Sequence, residues 1–378
     1  MILNFIWNTS PDIFSIGPFQ LKWLTALLVV GILVGRNLLF FICKKEDATL
    51  NEARSVFNFT LIGAILGARL FYVAFMEPDI LFNKPAQILF PFEFGQGFKF
   101  VGIGQFSMLG AIAGVIIILL IYARLKRRPF LWLLDKGLLL LLVIVIFMRI
   151  GNLFQSEYFG KPTDSPTGIL AVNKVEQGLL KVPCCAMRNP NGENPLDTVS
   201  VMKGKAMLHG GVGYEPLIVY IFFKDGATEQ LVNEFLIGDV KTYLFELSDQ
   251  IFEPGTEPLH YTIFVDAANN YIARIQTIGL ARHPLQLYEG VIFLILLIAL
   301  IWYWKKHVKK LPAGRMAGLL IISISSIHFT VEFMNMLTRP LIKSVPLTID
   351  QYICLVIFLF GIVLLITSFK SKKVQSIR

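Results

Sequence analysis

Long apolar runs alternate with short polar segments along almost the whole chain. A run of about 20 mostly apolar residues is long enough to cross a bilayer as a helix. Seven stretches reach that length: residues 21–43, 56–76, 106–124, 130–150, 284–304, 314–335 and 349–369. The third and fourth are separated only by ARLKRRPF, which predicts a tight helical hairpin. Between the fourth and fifth lie roughly 130 residues of different character. There, turn signals (NPNGENP, FKDGATE) and strand-like alternation (HYTIFVDAANNYIARIQTI) mix with an amphipathic helix pattern in TEQLVNEFL. The apolar run PLIVYIFF within this segment is too short to span. The pattern predicts an all-α polytopic membrane protein of seven transmembrane helices, with an α+β insertion between helices 4 and 5. Residues 1–165 would hold helices 1–4, residues 166–280 the insertion, and residues 281–378 helices 5–7 with a basic tail.

Charge orients the spans. Dense lysine and arginine clusters occupy alternate connections: RNLLFFICKKEDATLNEARS, ARLKRRPF, WKKHVKKLPAGRM and the tail FKSKKVQSIR. The positive-inside rule makes these cytoplasmic, so the N-terminus is expected outside, the C-terminus inside and the insertion extracytoplasmic. Composition agrees: 55% of residues are hydrophobic and 16% charged, against about 25% charged in soluble domains. Topology and anionic headgroups account for the net charge of +9, so nucleic acid is not an expected partner. The cysteines have no disulfide-framework or zinc spacing: Cys43 and Cys354 lie in or beside apolar runs, and Cys184 and Cys185 are adjacent. No metal site is expected. The start MILNFIWNTSPD lacks a basic region and a small-residue cleavage site, so no removable signal peptide is expected.

Ionisable residues inside spans are functional candidates, because burying them in lipid costs several kcal/mol. With the orientation above, four spans deliver such residues to the outer half of the bilayer: Arg69; Arg149 and Asn152; Arg282, His283, Gln286 and Glu289; His328 and Glu332. Helical spacing places Arg149, Asn152 and Ser156 on one predicted face, Arg282, Gln286 and Glu289 on another, and His328 with Glu332 on a third. Asp135 and Lys136 lie near the inner end of span 4, where snorkelling to water is expected. Gly63 and Gly67 form a GxxxG pair suited to close helix packing. Arginine binds phosphate through a rigid fork and stays charged. The cluster therefore predicts a lipid-phosphate site open to the outer leaflet.

Several of these stretches resemble the motifs of one family, the prolipoprotein diacylglyceryl transferases. RIGNLFQSEYFGKPTD (149–164) is similar to its signature RIGNFxNxExxGxPTD, and RHPLQLYEG to its RHPSQLYE. GARLFYVAF, VEFMN and LTIDQYICLVIFLFGIVLL resemble further family segments, in the family's order. The resemblance implies a multi-pass enzyme of the bacterial inner membrane. It would move the diacylglyceryl group of phosphatidylglycerol to the lipobox cysteine in the signal peptide of a prolipoprotein, leaving a thioether and glycerol 1-phosphate. It implies no cofactor or metal, and membrane lipids as its surroundings.

The family's signature residues fall on Arg149, Asn152, Glu157 and Gly160. A second arginine falls on Arg282, followed by Gln286, Tyr288 and Glu289. The pattern departs in places. Met108 stands where the family has a histidine of a His-Gly-Gly, Leu28 where it has a tyrosine, and His328 where an arginine precedes VEFF. The second asparagine becomes Gln155 or Ser156, and the outer segment is longer. A His-Gly-Gly does occur at His209–Gly211 in that segment.

On this reading Arg149 and Arg282 would stabilise the departing phosphate. Asn152 and Gln286 would orient the headgroup. Glu157 or Glu289 would orient an arginine or accept the thiol proton. Gly160, Tyr288, Arg69 and Glu332 would line the substrate site, Gly160 through a positive φ or a close approach. The alternative class is a non-catalytic phospholipid-binding protein or lipid transporter, although neither an inverted repeat nor matched broken spans occur.

Overall fold

The computed structural model describes residues 5–16, 19–83, 92–94, 98–100, 107–156, 159–182, 194–204, 211–308, 310–336, 340–342 and 345–370. In chain order the first elements are β1 (Phe5–Trp7), β2 (Asp12–Ile16), β3 (Phe19–Lys22), α1 (Trp23–Lys45), α2 (Leu50–Met76) and α3 (Pro78–Asn83). Next come β4 (Phe92–Phe94), β5 (Phe98–Phe100), α4 (Met108–Lys126), α5 (Phe130–Phe154), β6 (Ile169–Ala171) and α6 (Asn173–Leu179). The insertion continues with β7 (Leu196–Lys203), β8 (Tyr214–Phe223), α7 (Glu229–Phe235), α8 (Lys241–Glu246), β9 (Ile251–Phe252), β10 (Tyr261–Val265) and β11 (Tyr271–Leu280). The chain ends with α9 (Leu285–His307), α10 (Arg315–Glu332), β12 (Pro340–Ile342), β13 (Val345–Thr348) and α11 (Ile349–Lys370). The elements form two compact units. One comprises residues 1–26, 149–288 and 333–338; the other comprises 27–148, 289–332 and 339–378.

The first unit is built on an antiparallel sheet of order β10-β11-β8-β7, with β9 also paired to β11. Its centre is the β8–β11 pair, with Val219 opposite Ile275. Alternate residues of β8 (Leu217, Val219, Ile221 and Phe223) are buried, as a period of two requires. They share one core with Val232, Phe235, Leu236, Val240 and Leu244. Those residues come from α7, a π-helical turn at Leu236–Val240, and α8. PLIVYIFF is thus a strand, and TEQLVNEFL forms α7 with Thr228 as its N-cap. HYTIFVDAANNYIARIQTI is the β10–β11 hairpin. Its turn is held by Asp266 Oδ1, which accepts from Ala268 N–H and Asn270 N–H at 2.9 and 2.7 Å. At the other end of the chain order, β1 pairs in parallel with β6 and brings the N-terminal segment to this core. Cys184, Cys185, His209 and most of NPNGENP lie outside the described residues.

The second unit is helical. Over the described residues of the whole chain, six helices are long and apolar enough to cross a membrane: α1, α2, α5, α9, α10 and α11. The remaining expected span coincides with α4, of 19 residues. Gly63 and Gly67 of α2 pack against a second GxxxG, Gly110 and Gly114 of α4. A methyl group at Gly67 would stand 2.6 Å from the Gly114 Cα, and one at Gly114 would stand 2.7 Å from the Gly67 Cα. The two backbones touch, so neither can carry a side chain. Replacing Gly67 with leucine is expected to destabilise this unit by about 3 kcal/mol or more. Overpacking costs roughly 1–3 kcal/mol even where side chains can give way, and here only backbone is available to move. Thermal unfolding in detergent checks this; an unchanged midpoint contradicts the packing.

Asp135 and Lys136 correct an expectation. They do not snorkel; they are buried at 4% and 3% exposure. Lys136 donates to Glu46 Oε1 at 2.5 Å, and the indoles of Trp132 and Trp304 donate to the same carboxylate at 2.8 and 2.7 Å. Asp135 accepts from Gly314 N–H and Ala317 N–H at 2.8 and 2.7 Å. It therefore caps the N-terminus of α10 from a different helix and satisfies donors that have no intrahelical partner.

Candidate functional site

Arg149 and Asn152 lie near the C-terminal end of α5, both half-buried. The predicted stripe stops there. The helix ends at Phe154, Ser156 N–H turns back to Leu153 O at 3.1 Å, and Ser156 adopts φ 51°. Ser156 therefore leaves the helical face it was expected to share, because the left-handed turn ends the 3.6-residue period. Glu157 lies outside the described residues, as does the side chain of Met108.

The rest of the signature folds as backbone. Gly160 N–H donates to His283 O at 2.8 Å, Thr163 N–H to Ala281 O at 2.9 Å, and Lys161 N–H to Met334 O at 2.8 Å. Arg282 and Ile169 exchange hydrogen bonds at 2.9 and 3.0 Å. The two sequence motifs thus lie side by side in one small ladder of backbone bonds and isolated bridges. At Gly160 a Cβ would lie 2.7 Å from Met334 O and 3.1 Å from His283 Cβ. The glycine serves close passage of the chain past itself rather than a positive φ. Asp164 closes the signature by accepting Gly213 N–H at 2.7 Å, and Gly213 adopts φ 79°.

This ladder decides where Arg282 goes. It was expected to open the helical stripe of Gln286 and Glu289, but α9 begins only at Leu285. Arg282 is instead paired into the ladder, opposite Pro162 and Ile169. Its guanidinium is buried. Nε donates to Asp249 O at 2.5 Å, and Nη1 donates to Gly160 O at 3.2 Å and lies 2.6 Å from Met336 Sδ. Nη2 is buried with no hydrogen-bond partner among the described residues. Burial lowers the pKa of this guanidinium, against the pull of the Asp249 carboxylate, but an arginine remains charged.

At the second residue of α9, Gln286 is 1% exposed, and neither its Nε2 nor its Oε1 has a partner among the described residues. Leaving such groups unpaired costs roughly 1–3 kcal/mol each. Tyr288 is engaged differently. Its hydroxyl lies 2.7 Å from Thr167 Oγ1 and 3.2 Å from His283 Nδ1, and Thr167 Oγ1 is 2.9 Å from Ser165 Oγ. Burial lowers the His283 pKa below its ordinary value. Sequence reasoning did not single out this run of hydroxyls. Its signals were the Ser165 and Thr167 that follow the PTD of the signature, and the tyrosine of RHPLQLYE.

In the helical unit, Arg69, Glu289 and Glu332 are all buried, at 5%, 3% and 5% exposure. The Arg69 guanidinium lies 6.0 Å from the Tyr72 ring centroid. Glu289 Oε1 lies 2.8 Å from His328 Nδ1. Glu332 is approached by Thr348 Oγ1 at 3.5 Å. Thr348 and Gln351 form a capping box at the start of α11: Gln351 N–H donates to Thr348 Oγ1 at 3.2 Å, and Thr348 N–H to Gln351 Oε1 at 3.0 Å. The Gln351 amide also donates to Phe329 O at 3.3 Å. The LTIDQ stretch therefore fixes the start of α11 against the end of α10, beside Glu332.

The family model described as prolipoprotein diacylglyceryl transferase matches residues 11–367. Curated relatives carry the name phosphatidylglycerol–prolipoprotein diacylglyceryl transferase. The one from Bacteroides fragilis is 20% identical over 377 residues, 99% of both chains. The one from Chloroherpeton thalassium is 30% identical over 159 residues, 42% of this chain and 56% of that protein. The one from Campylobacter jejuni is 34% identical over 181 residues, 47% of this chain and 64% of that protein. This chain thus spans little more than half of the Chloroherpeton relative, but the whole length of the Bacteroides one. The chain belongs to the prolipoprotein diacylglyceryl transferase family.

Proposed function

We propose that this chain, as a member of that family, transfers the diacylglyceryl group of phosphatidylglycerol to the lipobox cysteine thiol of a prolipoprotein. The thiolate attacks the lipid's glycerol C3. A C–S bond forms, the C3–O bond to phosphate breaks, and glycerol 1-phosphate leaves with the electron pair. The enzyme works from the bacterial inner membrane with seven spans, the N-terminus outside and residues 166–280 as the extracytoplasmic insertion.

The observation that carries this reading is Gln286, a fully buried side-chain amide whose donor and acceptor both lack a partner among the described residues. A phosphoglycerol headgroup offers phosphate oxygens to the amide N–H and hydroxyls to its oxygen. Arg282 Nη2, also buried and unpartnered among the described residues, is a second donor of the kind a phosphodiester accepts. Arg149 supplies electrostatic stabilisation of the leaving phosphate, and Asn152 and Tyr288 bind the headgroup. Arg69 and Glu332, both buried in the helical unit, keep substrate-binding roles in this reading. Glu157 or Glu289 orients an arginine or accepts the thiol proton.

The test uses full-length protein in phosphatidylglycerol liposomes with a lipobox peptide. The expected product is the peptide carrying the diacylglyceryl mass increment on cysteine, absent when phosphatidylethanolamine replaces the donor. No increment with phosphatidylglycerol would sink the reading in favour of a lipid-binding protein or transporter.

A further inference from the structure

An edge strand offers a row of backbone donors and acceptors to any extended chain. The sheet of the first unit has two edges, β7 and β10, and they are finished differently. At β7, Val201 N–H donates to Glu176 Oε1 of α6 at 2.8 Å, and Asn8 holds the other oxygen of that carboxylate at 2.9 Å. At β10 nothing comparable occurs among the described residues. Gln276 N–H donates to His260 O and Asp266 N–H to Asn270 O, each at 2.9 Å, and bonded pairs alternate along an antiparallel ladder. Thr262 and Phe264 therefore bond to β11. The N–H and C=O groups of Tyr261, Ile263 and Val265 point away from it, with no partner among the described residues.

The usual protections of an edge are missing. YTIFV holds no charge and no proline, and its register with β11 runs without a shift. Phe264 and Val265 are 49% and 52% exposed. The strand is nonetheless held firmly: Tyr261 and Ile263 pack against the core, and the Tyr261 hydroxyl donates to Asn233 Oδ1 at 2.8 Å. A preorganised edge of this kind binds an extended polypeptide by main-chain hydrogen bonds, with little reading of side chains. Position names the polypeptide. β8 occupies one edge of β11, so β9 and β10 share the other, with β9 nearer Arg282. Tyr261 is opposite Ile275, seven residues before Arg282, and β10 runs away from the arginine. A peptide whose cysteine lies at the Arg282 ladder would cross roughly 23 Å, about seven extended residues, before it met β10, and would then run parallel to it.

We propose that the open edge of β10 binds the prolipoprotein substrate as an added strand, taking up the stretch about seven to twelve residues after the lipobox cysteine. This rests on the transferase reading and supplies what that reading lacks, a way for one site to hold proteins that differ beyond the lipobox. Their backbone N–H and C=O groups are the same in every case. The competing occupant of such an edge is the β10 of a second copy of this chain, and the test separates the two.

The test compares two lipobox peptides with the full-length protein in phosphatidylglycerol liposomes, one ending about three residues after the cysteine and the other about fifteen. The longer peptide is expected to show a KM about tenfold lower or more at the same kcat, because it adds several main-chain hydrogen bonds, each worth roughly two- to tenfold in affinity. N-methylation of alternate amides about seven to twelve residues after the cysteine is expected to erase that advantage on the unaltered enzyme. Val265→Pro removes an outward donor without costing a bond to β11. It is expected to raise the KM of the long peptide severalfold and to leave the short one unchanged, which separates a lost edge from a lost fold. Equal KM values for the two peptides, or an advantage that survives N-methylation, overturn the assignment while leaving the transferase reading standing. A dimer in detergent that Val265→Pro converts to monomer, with no dependence on peptide length, gives the edge to a second copy and overturns it too. No product from either peptide overturns both readings.

Discussion

Replacing Arg149 with lysine is expected to lower diacylglyceryl transfer by about a hundredfold or more while leaving the protein folded. The leaving group is a phosphate that gains charge as the C3–O bond breaks, and removing one well-placed donor from such a centre costs about 10²–10³ in rate. Lysine keeps the positive charge but loses the planar fork that grips two phosphate oxygens at once. The side chain is half-buried near the end of α5, outside the ladder of residues 160–163 and 281–283, so the change removes no bond of that ladder. Arg282 makes the instructive contrast. Its Nε and Nη1 already hold Asp249 O and Gly160 O. Arg282→Ala is therefore expected to lose activity together with thermal stability, because three separate segments lose their common donor. Rates and melting midpoints measured on both variants separate the two roles. If Arg149→Lys and Arg282→Ala both kept near-normal transfer, the phosphate-clamp model would be wrong.

The contrast between the two arginines marks how far the sequence could be read. The apolar runs located the helices, because lipid-facing surface has to be hydrocarbon over a fixed length. The alternation in PLIVYIFF and HYTIFVDAANNYIARIQTI located strands for the same kind of reason. Polar stripes failed wherever a helix ended. Ser156 and Arg282 fit the spacing of a helical face, but a left-handed turn at one and a late helix start at the other take them off it. Spacing assumes the helix continues, and what ends it here is pairing between distant segments that one sequence does not display. Likewise Gly63 and Gly67 were visible as a motif, but their partners Gly110 and Gly114 were not, since close approach is a property of two helices. Asp135 and Lys136 looked like residues reaching for water. They are instead paired to Glu46 and to the start of α10, contacts with segments 90 and 179 residues away along the chain. The His328–Glu289 pair was half legible: both residues stood out as polar groups in apolar spans, and only the structure joins them.

Gln286→Leu is expected to make the lipid-free protein more stable and the enzyme worse. The amide is 1% exposed with both polar atoms unpartnered among the described residues, and a buried unsatisfied polar group costs about 1–3 kcal/mol. Leucine is of similar volume and carries no such penalty, so the thermal midpoint in delipidated detergent should rise. If the amide exists to meet a phosphoglycerol headgroup, the same change removes two hydrogen bonds in the lipid complex, and transfer should fall by roughly 10- to 100-fold. Phosphatidylglycerol should then stabilise the wild-type protein and have a weaker effect on the variant. The opposing signs are what make the experiment decisive. A residue kept only for the fold should not be improved by losing its polar atoms, and a residue kept only for packing should not cost activity when its volume is preserved. A variant that melts at or below the wild-type midpoint and transfers normally would show that the amide finds its partner within the protein, and the headgroup assignment would go with it.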